Sequence, residues 1–199
     1  MLEITDFDIC VEENPITQLE NTLLQAPTEG AIMEFGVCKG HSIGAIASVY
    51  PDRIVYGFDS FVGLPENWKR SETSTYFKGH FGRERPPKVS ENVELVVGFF
   101  DTSLPKWLKE NNPASIAFLH IDSDLYSSAK TVLYLLNHLI HPGTIIVFDE
   151  LCDWTGKNIY TLWREGEWKA LLEWIEEFNR EVTPISRTNL YAAALKVER

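Results

Sequence analysis

The chain has 199 residues, 44% of them hydrophobic, which suits one domain around one core. Its formal net charge of −11 repels phosphate backbones and argues against nucleic acid as partner or substrate. No apolar run approaches a membrane span, and the stretch Met1 to Asp8 carries Glu3, Asp6 and Asp8 in place of a basic leader. Cys10, Cys38 and Cys152 show neither paired nor zinc-type spacing. The expectation is a cytoplasmic protein with reduced thiols and no membrane association, with homo-oligomerisation left open.

In chain order, Ala31 to Val37 reads as a first strand, closed by Gly40, and Ser42 to Val49 as an Ala/Ile-rich helix stopped by Pro51. Ile54 to Phe58 is a second strand ending on Asp59, and Val93 to Phe100 a third. Ile116 to Ile121 and Thr144 to Phe148 are the fourth and fifth. Between those two, Ser127 to Ile140 places Val132, Leu135, Leu136 and Leu139 on one helical face, with Gly143 ending the segment. Trp168 to Phe178 has helical spacing with Pro184 beyond it, and Tyr191 to Val197 closes the chain as a last apolar stretch. Strands alternating with helices predict an α/β fold, a mostly parallel sheet covered on both faces, in a single domain spanning 1–199. The segment 61–92 breaks the rhythm: it holds Pro65, Pro86, Pro87 and three glycines, together with six of the 18 basic residues. A connection of that length is read as a lid or insert over the site, or as a solvated loop.

Ligands of such sheets sit beyond the carboxyl ends of the strands, and the polar residues there form three groups. Glu34-Phe35-Gly36-Val37-Cys38-Lys39-Gly40 lies between a strand and a helix. Its glycines allow a sharp turn and close approach of a ligand, and the helix that follows at Ser42 offers free N–H groups. The spacing is GxxxG rather than the GxGxxG of dinucleotide sites. Asp59, 19 residues after Gly40, closes the second strand where a ribose diol would be bound, and such a diol occurs in adenosyl cofactors and in NAD alike. Asp122 and Asp124 follow the fourth strand, and Asp149 and Glu150 the fifth. Four carboxylates crowded at one edge call for a cation, and oxygen ligands favour Mg²⁺, Mn²⁺ or Ca²⁺. His120 points to the same side as Asp122 and is a candidate base, ligand or packing residue. Phe99 and Phe100, after Gly98, offer a face for adenine, with core packing expected of at least one.

In combination these blocks resemble the metal-dependent O-methyltransferases typified by macrocin O-methyltransferase. The resembling residues are Glu34-Phe35-Gly36-Val37 with Lys39-Gly40, Tyr56 to Phe61 with Gly63-Leu64-Pro65, and Gly98 to Thr102. They continue with His120 to Tyr126 plus Ser128, and with Ile146 to Glu150. The resemblance implies a Rossmann-like class I methyltransferase sheet of seven strands, the last antiparallel. It implies S-adenosylmethionine (SAM) held by Glu34, Gly36, Gly40, Ser42, Asp59, Ser60, Gly98, Phe99 and Asp122. It further implies Mg²⁺ (or Mn²⁺) on Asp122, Asp149 and Glu150, with Asp124 the candidate general base beside Asp122 and His120. Two departures stand out. Glu150 occupies a place where the family usually has a second aspartate, and the N-terminal region is short. The expected activity is methylation of a hydroxyl on a small molecule or sugar. An NAD-dependent oxidoreductase and a non-catalytic SAM-binding protein are the alternatives.

Overall fold

The computed structural model describes residues 2–199. Its elements in chain order are β1 (Val11–Glu12), α1 (Pro15–Leu23), β2 (Ala31–Phe35), α2 (His41–Val49), β3 (Val55–Asp59), β4 (Trp68–Lys69), β5 (Thr75–Tyr76) and β6 (Val93–Val97). They continue with α3 (Phe100–Asn111), β7 (Ile116–Ile121), α4 (Tyr126–Leu136), β8 (Ile140–Phe148), α5 (Glu167–Glu177), β9 (Val182–Thr188) and β10 (Ala193–Val197). The main sheet has the order β1-β9-β10-β8-β7-β2-β3-β6. β2, β3, β6, β7 and β8 run parallel, and the final strand β10 is antiparallel to both β8 and β9.

The order and the antiparallel last strand are those expected of the Rossmann-like sheet, with eight strands rather than seven. The additional strand is β1, two residues at the edge paired parallel with Arg187 and Thr188. A two-residue edge strand is too short to show a period. The third strand also ends earlier than expected, at Val97, because Gly98 turns the chain with φ +143° and Phe100 opens α3. Gly143 does not end a helix: α4 stops at Leu136, and Gly143 lies in the irregular start of β8.

The buried strands explain themselves. β7, Ile-Ala-Phe-Leu-His-Ile, is covered on both faces and buried at every position. One face packs against α3, α4 and α5 through residues such as Leu104, Leu133 and Trp174, and the other against α1 and α2 through Leu19, Leu23, Ile43 and Ile46. Phe35 of β2 and Phe58 of β3 stack with ring centroids 4.6 Å apart, fixing those strands directly beneath the ligand edge. Among the described residues, no helix is long and apolar enough to cross a membrane.

The segment 61–92 has structure of its own. β4 and β5 form a hairpin, and the base of the segment is tied by Leu64 N–H to His80 O (2.9 Å), Gly79 N–H to Leu64 O (2.9 Å) and Arg83 N–H to Phe61 O (2.8 Å). Residues Phe77 to Pro86 are exposed throughout.

Candidate functional site

The backbone ladder continues one residue past the strands and lines up the tips. Gly36 N–H donates to Phe58 O at 2.9 Å, Asp122 N–H to Phe35 O at 2.9 Å, and Asp149 N–H to Ile121 O at 3.0 Å. β2, β7 and β8 are neighbours, so Gly36, Asp122 and Asp149 stand side by side. A side chain at Gly36 is ruled out twice: its φ is +102°, and a Cβ would lie 1.8 Å from Asp122 O. Gly40, at φ +80°, starts α2.

A cavity of about 530 Å³ opens over these tips, within the range of small-molecule sites. Along the sheet edge it is lined by Phe99 after β6, Asp59 and Ser60 at the tip of β3, Gly36 after β2, Asp122 and Asp124 after β7 and Asp149 after β8, and Ser127, Ser128 and Thr131 of α4 also line it. Leu64, Pro65 and Phe81 of the segment 61–92 reach over it, joined by Phe100, which also packs edge-on against Phe35. Of the residues expected at a cofactor, the structure brings Gly36, Asp59, Ser60, Phe99 and Asp122 to the cavity wall. Glu34, Gly40, Ser42 and Gly98 lie behind it. Glu34 is fully buried and bonds His120 rather than facing the cavity. Asp59 carries a second duty: Oδ2 accepts from Val37 N–H (2.9 Å) and Cys38 N–H (2.7 Å), and Oδ1 from Phe61 N–H (2.7 Å).

The acidic group divides. His120, Asp122 and Asp149 bring one ligand atom each to within 4.8 Å of one another. Glu150 lines the same cavity without joining these three, its Oε2 4.0 Å from the guanidinium of Arg70. Burial and the charges of Asp149 and Asp124 hold Asp122 well above the usual carboxylate range. Burial likewise raises Asp149, opposed by His120. Asp124, 9% exposed and at φ +63°, is pushed up to about 7, first by burial and then by Asp149, with Arg70 pulling the other way. Aspartate is among the few residues that tolerate this left-handed backbone.

Two residues that matter here escaped the sequence reading. Glu167, at the start of α5 and fully buried, accepts from Ser123 N–H (3.3 Å) and Glu150 N–H (3.2 Å), so it clamps the tips of β7 and β8 together. Burial pushes its carboxyl up to about 8. Arg70, on the hairpin segment, stacks on Trp68, Tyr160 and Tyr191 at 4.7, 5.2 and 4.9 Å. Ser127 and Thr131 were also overlooked, although Ser127 directly follows the Asp122 to Tyr126 block at a helix start.

Residues 33–151 match the family model described as a methyltransferase domain. No curated protein matches the chain. Among solved structures, CalS11, a calicheamicin methyltransferase, is 26% identical with a TM-score of 0.68, the alignment covering 91% of this chain and 76% of that one. The O-methyltransferase TomG from Streptomyces achromogenes, solved with SAM, is 17% identical with a TM-score of 0.57 over 96% of this chain and 83% of that one. MycE methyltransferase of the mycinamycin biosynthetic pathway, solved with Mg and S-adenosylhomocysteine, is 13% identical with a TM-score of 0.54 over 94% of this chain and 56% of that one. The last two likenesses speak to fold alone. With its family model spanning the strand tips and the cavity they carry, the chain belongs to the methyltransferase-domain family and has the fold of the SAM-dependent O-methyltransferases.

Proposed function

We propose that this methyltransferase transfers the methyl group of SAM to a hydroxyl oxygen of a small molecule, assisted by a divalent cation. One observation carries the reading: a single cavity is lined by Gly36 and Asp59, by a carboxylate cluster and by the hydroxyl-rich face of α4. Family membership leaves the NAD-dependent oxidoreductase without support.

SAM fits the first of these. Gly36 leaves the backbone bare, Asp59 and Ser60 present acceptors for a ribose diol, and Phe99 offers an apolar face. A divalent cation fits the cluster, where Asp122 and Asp149 converge with a buried His120 Nε2 that has no hydrogen-bond partner among the described residues. Asp122 and Asp149 would hold it. When bound, the ion would orient the acceptor oxygen and lower its pKa. Asp124 takes the hydroxyl proton: it lines the cavity and is raised to about 7, close to the working pH that general-base catalysis favours. Ser127, Ser128 and Thr131 hydrogen-bond further hydroxyls of the acceptor, while Leu64, Pro65 and Phe81 exclude water and hold the reactants in line. A sugar acceptor is compatible with this wall, and CalS11 is described as a TDP-rhamnose 3′-O-methyltransferase. The three cysteines are free, in keeping with a cytoplasmic enzyme.

The test is methyl transfer from labelled SAM to a panel of hydroxylated small molecules and sugars, with products identified by NMR and assays repeated in EDTA. Methyl ethers that depend on divalent ion support the reading. Transfer to nitrogen or carbon would overturn it, and SAM binding without turnover on any acceptor would favour a non-catalytic SAM-binding protein.

A further inference from the structure

Glu150 lines the same cavity but is not one of the three residues whose ligand atoms converge. Its side chain and that of Arg70 are 14% and 11% exposed, and the two charges face each other at 4.0 Å. Arg70 is boxed by three aromatic rings, and its carbonyl accepts from Leu162 N–H at 3.1 Å, so side chain and backbone are both held. The Glu150 backbone is pinned in turn by Glu167. The guanidinium beside it is an attractive charge for Glu150 at 4.0 Å, without a hydrogen bond between them.

His120 supplies what Glu150 does not. It is 1% exposed, and its Nδ1 lies 2.9 Å from Oε2 of the sealed Glu34. With His120 neutral and the Glu34 carboxylate accepting from Nδ1–H, Nε2 is left as a bare lone pair, the arrangement that orients metal-binding histidines. That Nε2 is 4.0 Å from Asp149 Oδ1 and has no partner of its own among the described residues. A buried lone pair aimed at two carboxylates is repulsive with nothing between them, whereas a cation turns all three into ligands.

We propose that the cation site is a mixed nitrogen–oxygen site formed by His120, Asp122 and Asp149, without Glu150, and that it prefers first-row transition ions such as Mn²⁺ or Co²⁺ to Mg²⁺. This rests on the metal-assisted reading above and deepens it. Mg²⁺ favours all-oxygen ligands and parts reluctantly with water, whereas an imidazole nitrogen adds affinity for first-row transition ions.

Mn²⁺ binding to the full chain, followed by loss of the free-ion EPR signal, tests this together with pulsed EPR for ¹⁴N coupling to the bound ion. The expected results are ¹⁴N coupling in the wild type and Mn²⁺ affinity at least about tenfold above that for Mg²⁺ in competition. His120→Gln should lose the coupling and most of the Mn²⁺ preference, while Glu150→Gln should keep both. The wild-type spectrum alone decides the nitrogen ligand if His120→Gln does not fold. Bound Mn²⁺ without ¹⁴N coupling, or with affinity abolished by Glu150→Gln, would overturn the mixed site while leaving metal assistance standing. No binding of Mn²⁺ or Mg²⁺ at all would overturn both.

Discussion

Asp59 and Cys38 are joined across the mouth of the cavity: Oδ2 of the aspartate accepts the Cys38 N–H at 2.7 Å. The same oxygen accepts from Val37, and Cys38 sits at φ +45°, a backbone that a non-glycine residue keeps only when held. Asp59 therefore shapes the glycine turn as well as lining the cavity. Asp59→Ala is expected to weaken SAM binding by about 1–3 kcal/mol, the range for hydrogen bonds to a charged group. It should also lower the thermal midpoint of the SAM-free protein, because Val37, Cys38 and Phe61 lose their acceptor. Calorimetry with SAM and a melting curve read the two effects separately. Unchanged SAM affinity in a folded variant would remove Asp59 from the cofactor site.

Asp124 calls for a different substitution. Asn is isosteric with Asp and tolerates the left-handed backbone at φ +63°, so Asp124→Asn should fold as the wild type does. An amide cannot accept the hydroxyl proton. The expected outcome is a kcat lowered by about 10²–10⁴-fold with SAM binding retained. In the wild type, kcat should fall on the acid side, with a midpoint below the value of about 7 that the metal-free carboxyl has, because the cation offsets the charge of Asp149. A fully active Asp124→Asn enzyme would shift the base elsewhere.

The raised carboxyls also govern stability. Asp122, Asp124, Asp149, Glu150 and Glu167 are all pushed upward, chiefly by burial. Above the ordinary carboxylate range the folded chain then holds more protons than the unfolded one, so stability is greatest at acid pH and is lost as pH rises toward the Glu167 value of about 8. In chelator, melting temperature should fall from pH 5.5 to pH 8.5. A divalent cation should flatten that slope, since it compensates the same charges. A melting temperature that rises with pH in chelator would contradict this account.

The glycine turn, Asp59 and the two acidic pairs were legible in the sequence because each follows a strongly apolar strand, and a parallel sheet puts such residues at one edge. Less visible was α3, where Val96-Val97-Gly98-Phe99-Phe100 reads as continuous strand and Pro105 as a breaker. β9 was hidden by Pro184, which the sheet accommodates where β10 shifts register between Ala194 and Leu195. The helix α1 was missed, although Asn14 followed by Pro15 carries its signal, a side-chain cap and a proline at the first helical position. Arg70 and Glu167 could not be found by spacing. They reach the acids from segments 80 and 17 residues away from Glu150, and only the folded arrangement shows that one stands beside its carboxylate and the other clamps its backbone.

Arg70 also bears on the segment 61–92, which carries three of the side chains that cover the cavity, Leu64, Pro65 and Phe81. Beyond its own base, this segment is fastened to the body by the Arg70–Glu150 pair, by Leu162 N–H to Arg70 O at 3.1 Å, and by Ser127 Oγ–H to Glu66 Oε1 at 2.5 Å. Its outer part, including Arg83, is exposed, and little apolar surface holds it down. Such a segment opens at low cost and is expected to close over bound reactants. Trypsin should therefore cut after Arg83, while Arg85, followed by Pro86, resists. SAM should slow the cut several-fold, because Phe81 lines the cavity and its carbonyl lies 4.0 Å from Sγ of Cys38 in the glycine turn. Arg70→Ala should speed cleavage in the ligand-free protein by releasing the ion pair and the three ring contacts. Equal cleavage rates with and without SAM, together with no effect of Arg70→Ala, would show the segment to be a fixed wall rather than a lid.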